Sequence, residues 1–250
     1  MSRNLTLRAP RATRPSSVAK ATSTGRAARA ANAASVRLPA PKLSTGKSFA
    51  DALRLRRTIR EMSARKLSWQ ELSNVLFAAR GVNRTRGPFG GSGSTAASAS
   101  NSQEVDVYVV LEQGAYFFDA ERHGLVPVSG DDVRRLALGP RQPPISPEAP
   151  VQLVYVVDLE KLEHTRGFEE PGLHDPEVQK SYYYVDTGII AGNVYLFAAS
   201  QGLACWFHNC DRAALARKLA LRREQRVLFA QTVGYPAAKP SSGSRRSRER

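Results

Sequence analysis

From Ser48 onward, apolar positions recur at two alternating spacings, and the alternation predicts the order of elements. Ser48 to Leu55 is amphipathic at helical spacing. Ser68-Trp69-Gln70-Glu71 reads as a capping box, because Ser68 and Glu71 can satisfy the first orphan amides of a helix. That helix runs through Leu72, Val75, Leu76 and Ala79, with Gly81 as its C-cap. Val105 to Leu111 reads as a buried strand, and Ala115 to Asp119 with Leu125 to Val128 as a hairpin around Glu121-Arg122-His123-Gly124. A short helix is expected over 131–138 and another apolar strand over 151–158. Tyr182 to Gln201 is the longest helical run. It carries Val185, Ile189, Ile190, Val194, Leu196 and Phe197 nearly all round, so it is expected to be central and buried. Its Gly188, Ala191, Gly192 and Ala198 would admit another helix closely. A strand at 203–207, a helix at 212–220 and a strand at 226–233 lead to Gly234-Tyr235-Pro236.

This succession predicts one α/β domain over residues 48–236, long enough to bury a sizeable core. The Gly/Ser string from Gly87 to Ser94 lacks a strand-then-helix context and a Lys-Ser/Thr ending. It is expected to be a loop and not a phosphate-binding fingerprint.

Charge modifies the picture mainly by where it lies. The formal net charge is +15, which by itself suggests nucleic acid or an anionic surface as partner. Residues 1–50 carry ten Lys/Arg and no acid, and the last ten carry four Arg against one Glu, leaving about +2 for residues 51–240. The basicity belongs to the ends and does not argue for a nucleic-acid partner. Residues 1–47, rich in Ala, Arg, Ser, Thr and Pro, are expected to be disordered, and 237–250 to form a flexible basic tail. No apolar run is long enough for a bilayer span or a signal-peptide core. An acid-free Arg/Ser-rich leader fits an organellar transit peptide or a cytoplasmic protein's basic tail, and both stay open. Cys205 and Cys210 are the only cysteines, too few ligands with His208 for zinc and expected to be reduced thiols.

Chemistry concentrates at Arg56-Arg57-Thr58-Ile59-Arg60. Three guanidiniums and a hydroxyl lie within a helical turn and its exit. Guanidiniums stay charged and present planar forks that match phosphate oxygens. A solvated basic face is the competing reading.

The ordered set of this RRTIR segment, a capped helix, the run Thr95-Ala96-Ala97-Ser98-Ala99-Ser100-Asn101-Ser102-Gln103, a long helix ending in Gly202-Leu203 and a terminal Gly-Tyr-Pro resembles the nitroreductase family. The resemblance is closest to the branch that includes azoline-forming dehydrogenases, and it spans roughly 49–236. It implies an α+β, three-layer fold with a mixed central sheet flanked by helices, and a homodimer that builds its flavin sites between subunits. By position it places Arg56, Arg57, Thr58 and Arg60 on the phosphate and ribityl chain of FMN. Ser98, Asn101 and Gln103 would approach the same flavin from the partner subunit, with Ala97 standing where the family has proline. Cys205, Trp206 and His208 belong to the segment that would lie along the isoalloxazine through its backbone. Arg245 or Arg246 would supply a second cation.

The activity implied is hydride transfer from NADH or NADPH through FMN to a quinone, nitroaromatic or similar small acceptor, with no acid–base side chain required. Two alternatives remain at this point: a flavin-dependent dehydrogenase of peptide heterocycles, and a non-enzymatic, basic-tailed nucleic-acid binder. His208 and Cys205 each have a structural reading beside the functional one, as a satisfied histidine and as packing. Tyr182, Tyr183 and Tyr184 could rim the pocket or serve as core or dimer contacts. Asp186 and Asn193 are expected to make structural hydrogen bonds.

Overall fold

A computed structural model describes residues 34–139, 150–166 and 174–238. Its centre is a seven-stranded sheet. In chain order the elements are β1 (Val36–Arg37), α1 (Phe49–Leu55), α2 (Trp69–Arg80), β2 (Val82–Arg84), β3 (Gly93–Ser94), β4 (Val105–Leu111), β5 (Gly114–Asp119), β6 (Gly124–Ser129), α3 (Arg134–Leu138), β7 (Val151–Asp158), α4 (Leu159–Glu163), α5 (Pro176–Gln201), β8 (Ala204–His208), α6 (Arg212–Lys218) and β9 (Gln225–Gly234). Strand order is β1-β6-β5-β4-β7-β9-β8, and β2 pairs with β3 apart from it.

Among the described residues every strand pair runs antiparallel, so the expected mixed sheet is corrected to an antiparallel one. A helix between strands suggests a parallel crossover, but α6 returns the chain antiparallel, with Cys205 opposite Val233 and His208 opposite Ala230. The central strands β4 and β7 are buried at every position, because helices cover both faces. On one face Val105, Val107, Val109 and Leu111 pack with Leu72, Val75, Leu76 and Ala79 of α2 and Ile190 and Val194 of α5. On the other, Tyr108, Val110, Val154 and Val156 pack with Ala137 of α3, Leu215 of α6 and Leu219 at its C-cap. Burying each large aliphatic chain contributes about 1.5–3 kcal/mol, which is what holds the three layers together.

Local chemistry sets the ends of the helices. Ser48 caps α1 by accepting from the Asp51 amide at 3.1 Å. The Ser68–Glu71 capping box forms in both directions, and Gly81 caps the other end of α2. α5 begins six residues before the expected start, since Asp175 accepts from the Glu177 amide and Pro176 occupies the first turn. Its Gly202 C-cap takes the left-handed conformation, φ 70°.

Two expectations need correction. Residues 34–47 are not separate from the fold, although the leader was expected to be unstructured through 47. Val36 pairs with Leu125, Leu38 is buried, and Ser73 donates to the Pro39 carbonyl at 2.6 Å. Two apolar side chains at the right spacing were enough to add an edge strand. The remainder of the leader, residues 1–33, lies outside the described residues, as does the tail from 239. Secondly, α5 is not buried all round. Val185 is 60% exposed, with Tyr184 and Ile189 partly exposed on the same side. Gly188 and Gly192 face open space.

Candidate functional site

The arginine segment begins where α1 stops. Arg56 is the C-cap: its amide still donates to the Ala52 carbonyl at 2.8 Å, but its ψ of 117° turns the chain out of the helix. The following residues run along the outer edge of β8. The Ile59 amide donates to the Cys205 carbonyl at 3.0 Å, and farther on Met62 bridges Pro236. An edge strand offers unpaired backbone groups, and this segment uses them. Ile59 turns partly inward, which leaves Arg56, Arg57, Thr58 and Arg60 exposed.

Tyr195 of α5 completes the junction. Its hydroxyl accepts from the Phe207 amide at 2.9 Å and lies 3.1 Å from Thr58 Oγ1. The Arg56 guanidinium sits 5.6 Å from the Tyr195 ring centre, and that of Arg60 5.5 Å from the Trp206 ring centre. Such contacts steer an arginine without consuming its N–H donors. Among the described residues no carboxylate pairs with Arg56, Arg57 or Arg60. Three forks therefore stand exposed on a backbone that is tied down, the arrangement a phosphate needs.

Behind this ledge the β8 side chains turn inward. Cys205 is buried, its Sγ accepts from Gln231 Nε2 at 3.0 Å, and burial pushes its pKa up to about 12. Trp206 packs with Met62, Leu138 and Ala204. His208 is satisfied on both nitrogens, by the Asn209 carbonyl and by Thr232 Oγ1, each at 2.8 Å, and burial lowers its pKa. The side chains of Cys205 and His208 are thus spent within the protein, which leaves the backbone for any contact with a ligand. Even there the Phe207 amide is already committed to Tyr195.

Ser98, Asn101 and Gln103 form a second cluster. The Gln103 amide donates to Ser98 Oγ at 3.0 Å, and its side chain donates to the Ser92 carbonyl at 2.8 Å and to Asn101 Oδ1 at 3.1 Å. Asn101 Nδ2 donates to that same Ser92 carbonyl at 2.9 Å, so the Gly/Ser loop has a defined partner. Arg80 reaches the Gln103 carbonyl at 2.7 Å. The turn is sharp, with φ of 47° at Ser100, 57° at Asn101 and 49° at Gln103, a conformation that costs on the order of 1 kcal/mol per side-chain-bearing residue.

No hydrogen bond, ion pair or ring contact among the described residues joins this turn to Arg56–Arg60. The turn meets α5 at Asp186, which accepts from the Ala99 amide, whereas Thr58 meets it at Tyr195. At 1.5 Å per residue those points are about 14 Å apart along the helix. Arg245 and Arg246 lie outside the described residues.

Comparison with known proteins decides what such an arrangement belongs to. The model of the nitroreductase family matches residues 53–235. The chain belongs to the nitroreductase family. It is 32% identical over 160 residues, covering 61% of this chain and 74% of the relative, to a provisionally named nitroreductase of Methanocaldococcus jannaschii. The crystal structure of a provisionally named nitroreductase from Ralstonia eutropha superposes with a TM-score of 0.69 at 28% identity, covering 82% of this chain and 90% of that one. Nitroreductase A of Vibrio parahaemolyticus shares the fold, with a TM-score of 0.51 at 19% identity over 78% of this chain and 70% of that one. This nitroreductase-family protein is accordingly a flavin oxidoreductase, and the family generally works with FMN and NAD(P)H.

Several residues that shape the site escaped sequence reasoning. Tyr195 was hidden in an apolar helix, though a half-buried tyrosine hydroxyl always asks for a partner. Arg80, in the last turn of α2, is only 8% exposed, and a charged residue at a core-facing position was the available signal. Glu104 carried no local signal at all.

Proposed function

We propose that this protein is an FMN-dependent reductase that takes hydride from NADH or NADPH and passes electrons to a small acceptor such as a quinone or nitroaromatic. The observation that carries this reading is the row of exposed guanidiniums at Arg56, Arg57 and Arg60, without a carboxylate partner among the described residues, on a backbone fixed along the β8 edge within the region matched by the family model. Arg56 and Arg60 would hold the FMN phosphate, and Thr58, kept in place by Tyr195, would meet the ribityl chain. Bound FMN supplies the hydride chemistry; the protein supplies binding, orientation and electrostatics. No side chain here needs to move a proton for hydride transfer, in keeping with a buried Cys205 and a satisfied His208.

A homodimer belongs to the same proposal. Within one chain the two polar clusters share no contact among the described residues, and a second copy could bring its Ser98, Asn101 and Gln103 to this chain's arginines. The surface suited to that contact is the exposed stripe of α5 at Val185, Gly188, Ile189 and Gly192, next to Phe49 and Leu53 of α1.

The test begins with colour. Purified protein should be yellow, release FMN on heating and oxidise NADH or NADPH with menadione as acceptor. Colourless protein that cannot be reconstituted with FMN, or flavin-loaded protein with no turnover of either nicotinamide, would overturn the proposal.

A further inference from the structure

Two carboxyl groups are buried against each other beneath the Ser98–Gln103 turn. Glu104 opens β4 and is fully buried, and Asp186 on α5 is 5% exposed. Both line a small cavity with Arg80, Ser98, Gln103 and Ile190. Each is tied to the turn from a different side. Asp186 Oδ2 accepts from the Ala99 amide at 3.2 Å, and Glu104 Oε2 accepts from Ser102 Oγ at 2.6 Å. The other Glu104 oxygen, Oε1, is buried without a hydrogen-bond partner.

Two adjacent carboxylates are acceptors only, so neither can satisfy the other, and their charges repel in a poorly solvated place. The surrounding charges do not relieve this. Arg80, which approaches from α2, is committed to the Gln103 carbonyl at 2.7 Å and to Asp106 at 3.4 Å. Asp106 on β4 is in turn held by Lys161 of α4 at 2.6 Å. From α5 itself only Asp186 enters the group lining the cavity that is titratable. One proton resolves the conflict by turning the pair into donor and acceptor.

We propose that Asp186 holds a proton which it donates to Glu104, and that the two act as a positioning pair that locks the Ser98–Gln103 turn in its left-handed shape. The proton gives the pair a donor, the Ala99 amide and Ser102 hydroxyl keep their acceptors, and the turn is pinned at both ends. Loss of the proton leaves two facing anions, and the strained turn relaxes by moving one of them toward water. Burial, and then the charge of Glu104, push the Asp186 carboxyl up to about 7, so this release falls near neutral pH. The inference rests on the FMN reading only for its functional consequence, which is that the turn presents Ser98, Asn101 and Gln103 to flavin best while the proton is held.

The experiment compares wild type with Asp186→Asn and Asp186→Ala, full-length, between about pH 5.5 and about pH 8.5. Asparagine can accept from the Ala99 amide and donate to Glu104, so Asp186→Asn imitates the protonated form permanently. FMN affinity, read by quenching of flavin fluorescence, should weaken in wild type as pH rises, by at most about tenfold per unit for one proton. Asp186→Asn should stay tight and flat across the range, and Asp186→Ala should bind weakly at every pH. Hydrogen exchange of the amides at 99–103, measured on the flavin-free proteins, should be faster in wild type than in Asp186→Asn at the upper pH and equal at the lower. A flat wild-type profile, or an Asp186→Asn profile that follows wild type, would overturn the pair. If wild type binds no FMN at any pH, the flavin reading fails instead, and the exchange comparison alone decides: equal exchange at both pH values would overturn the positioning pair.

Discussion

Thr58 and Tyr195 stand 137 positions apart in the chain, yet their hydroxyls lie 3.1 Å from one another, and Tyr195 also receives the Phe207 amide at 2.9 Å. One phenol therefore joins the arginine segment, the long helix and the edge strand. The arginines owe their place to this joint as much as to their own backbone.

Removing that hydroxyl should be felt in two measurements. Tyr195→Phe leaves the Phe207 amide without its partner and Thr58 without a neighbour. A loss of about 1–3 kcal/mol is expected in urea unfolding. Weaker FMN retention should accompany it, since Thr58 loses its hydroxyl neighbour while the ring beside Arg56 remains. Unchanged stability together with unchanged retention would show that the joint carries no load.

Arg56→Ala and Arg60→Ala should separate binding from folding. Both side chains are exposed, so thermal stability should change by no more than about 0.5 kcal/mol. Each lost phosphate contact should weaken FMN by about 1.5–3 kcal/mol, roughly tenfold or more in the dissociation constant. Equilibrium dialysis beside a melting curve reads both quantities. A variant that melts early would mean that the guanidiniums serve the fold.

The cysteines should be inert. Burial raises Cys205 to about 12 and Cys210 to about 11, so neither forms appreciable thiolate at pH 8. Iodoacetamide should leave both unmodified in the native protein and label both in denaturant, as read by mass spectrometry. Rapid native labelling of Cys205 would contradict its burial behind β8.

Acidification should weaken the fold through buried His208 and half-buried His123. Burial lowers the pKa of both His208 and His123, so the unfolded chain takes up protons before the native state does. Their contribution is full above the unfolded value near 6.5 and is lost as pH falls through the depressed native values. Urea midpoints should drop between about pH 7 and about pH 5, and His208→Gln should shrink that drop. An undiminished slope in the variant would assign the acid sensitivity elsewhere.

Charge on the long helix should test assembly. Ile189→Arg changes a side chain already 36% exposed, so a single chain should fold normally. Light scattering should show a dimer for wild type and a monomer for the variant, with FMN lost in parallel. A wild-type monomer that retains FMN would refute the two-chain site.

Much of the fold was legible because its signals are local. The Ser68–Glu71 box lies within one helical turn, and β7 reads from a short, mostly apolar run rich in β-branched residues. β1 was missed because two residues have no period of their own; Val36 becomes a strand only when Leu125 is there to pair with it. The exposed stripe of α5 was misjudged for a related reason. Apolar content at Val185 and Ile189 tells that a surface is to be covered, but not whether this chain covers it.

The candidate site divides in the same way. By itself the sequence determined the donors: guanidiniums at 56, 57 and 60, neutral polar groups at 98, 101 and 103, and the order of elements that resembles one family. Those are properties of residue type and short spacing, which the chain carries whether folded or not. Only the tertiary structure decided that the arginines lie against β8, that the polar turn sits about 14 Å away along α5, and that Glu104 and Asp186 face each other 82 positions apart. Such contacts close long loops between segments with no mutual signal, and they form because packing α5 against the sheet leaves those side chains no other place.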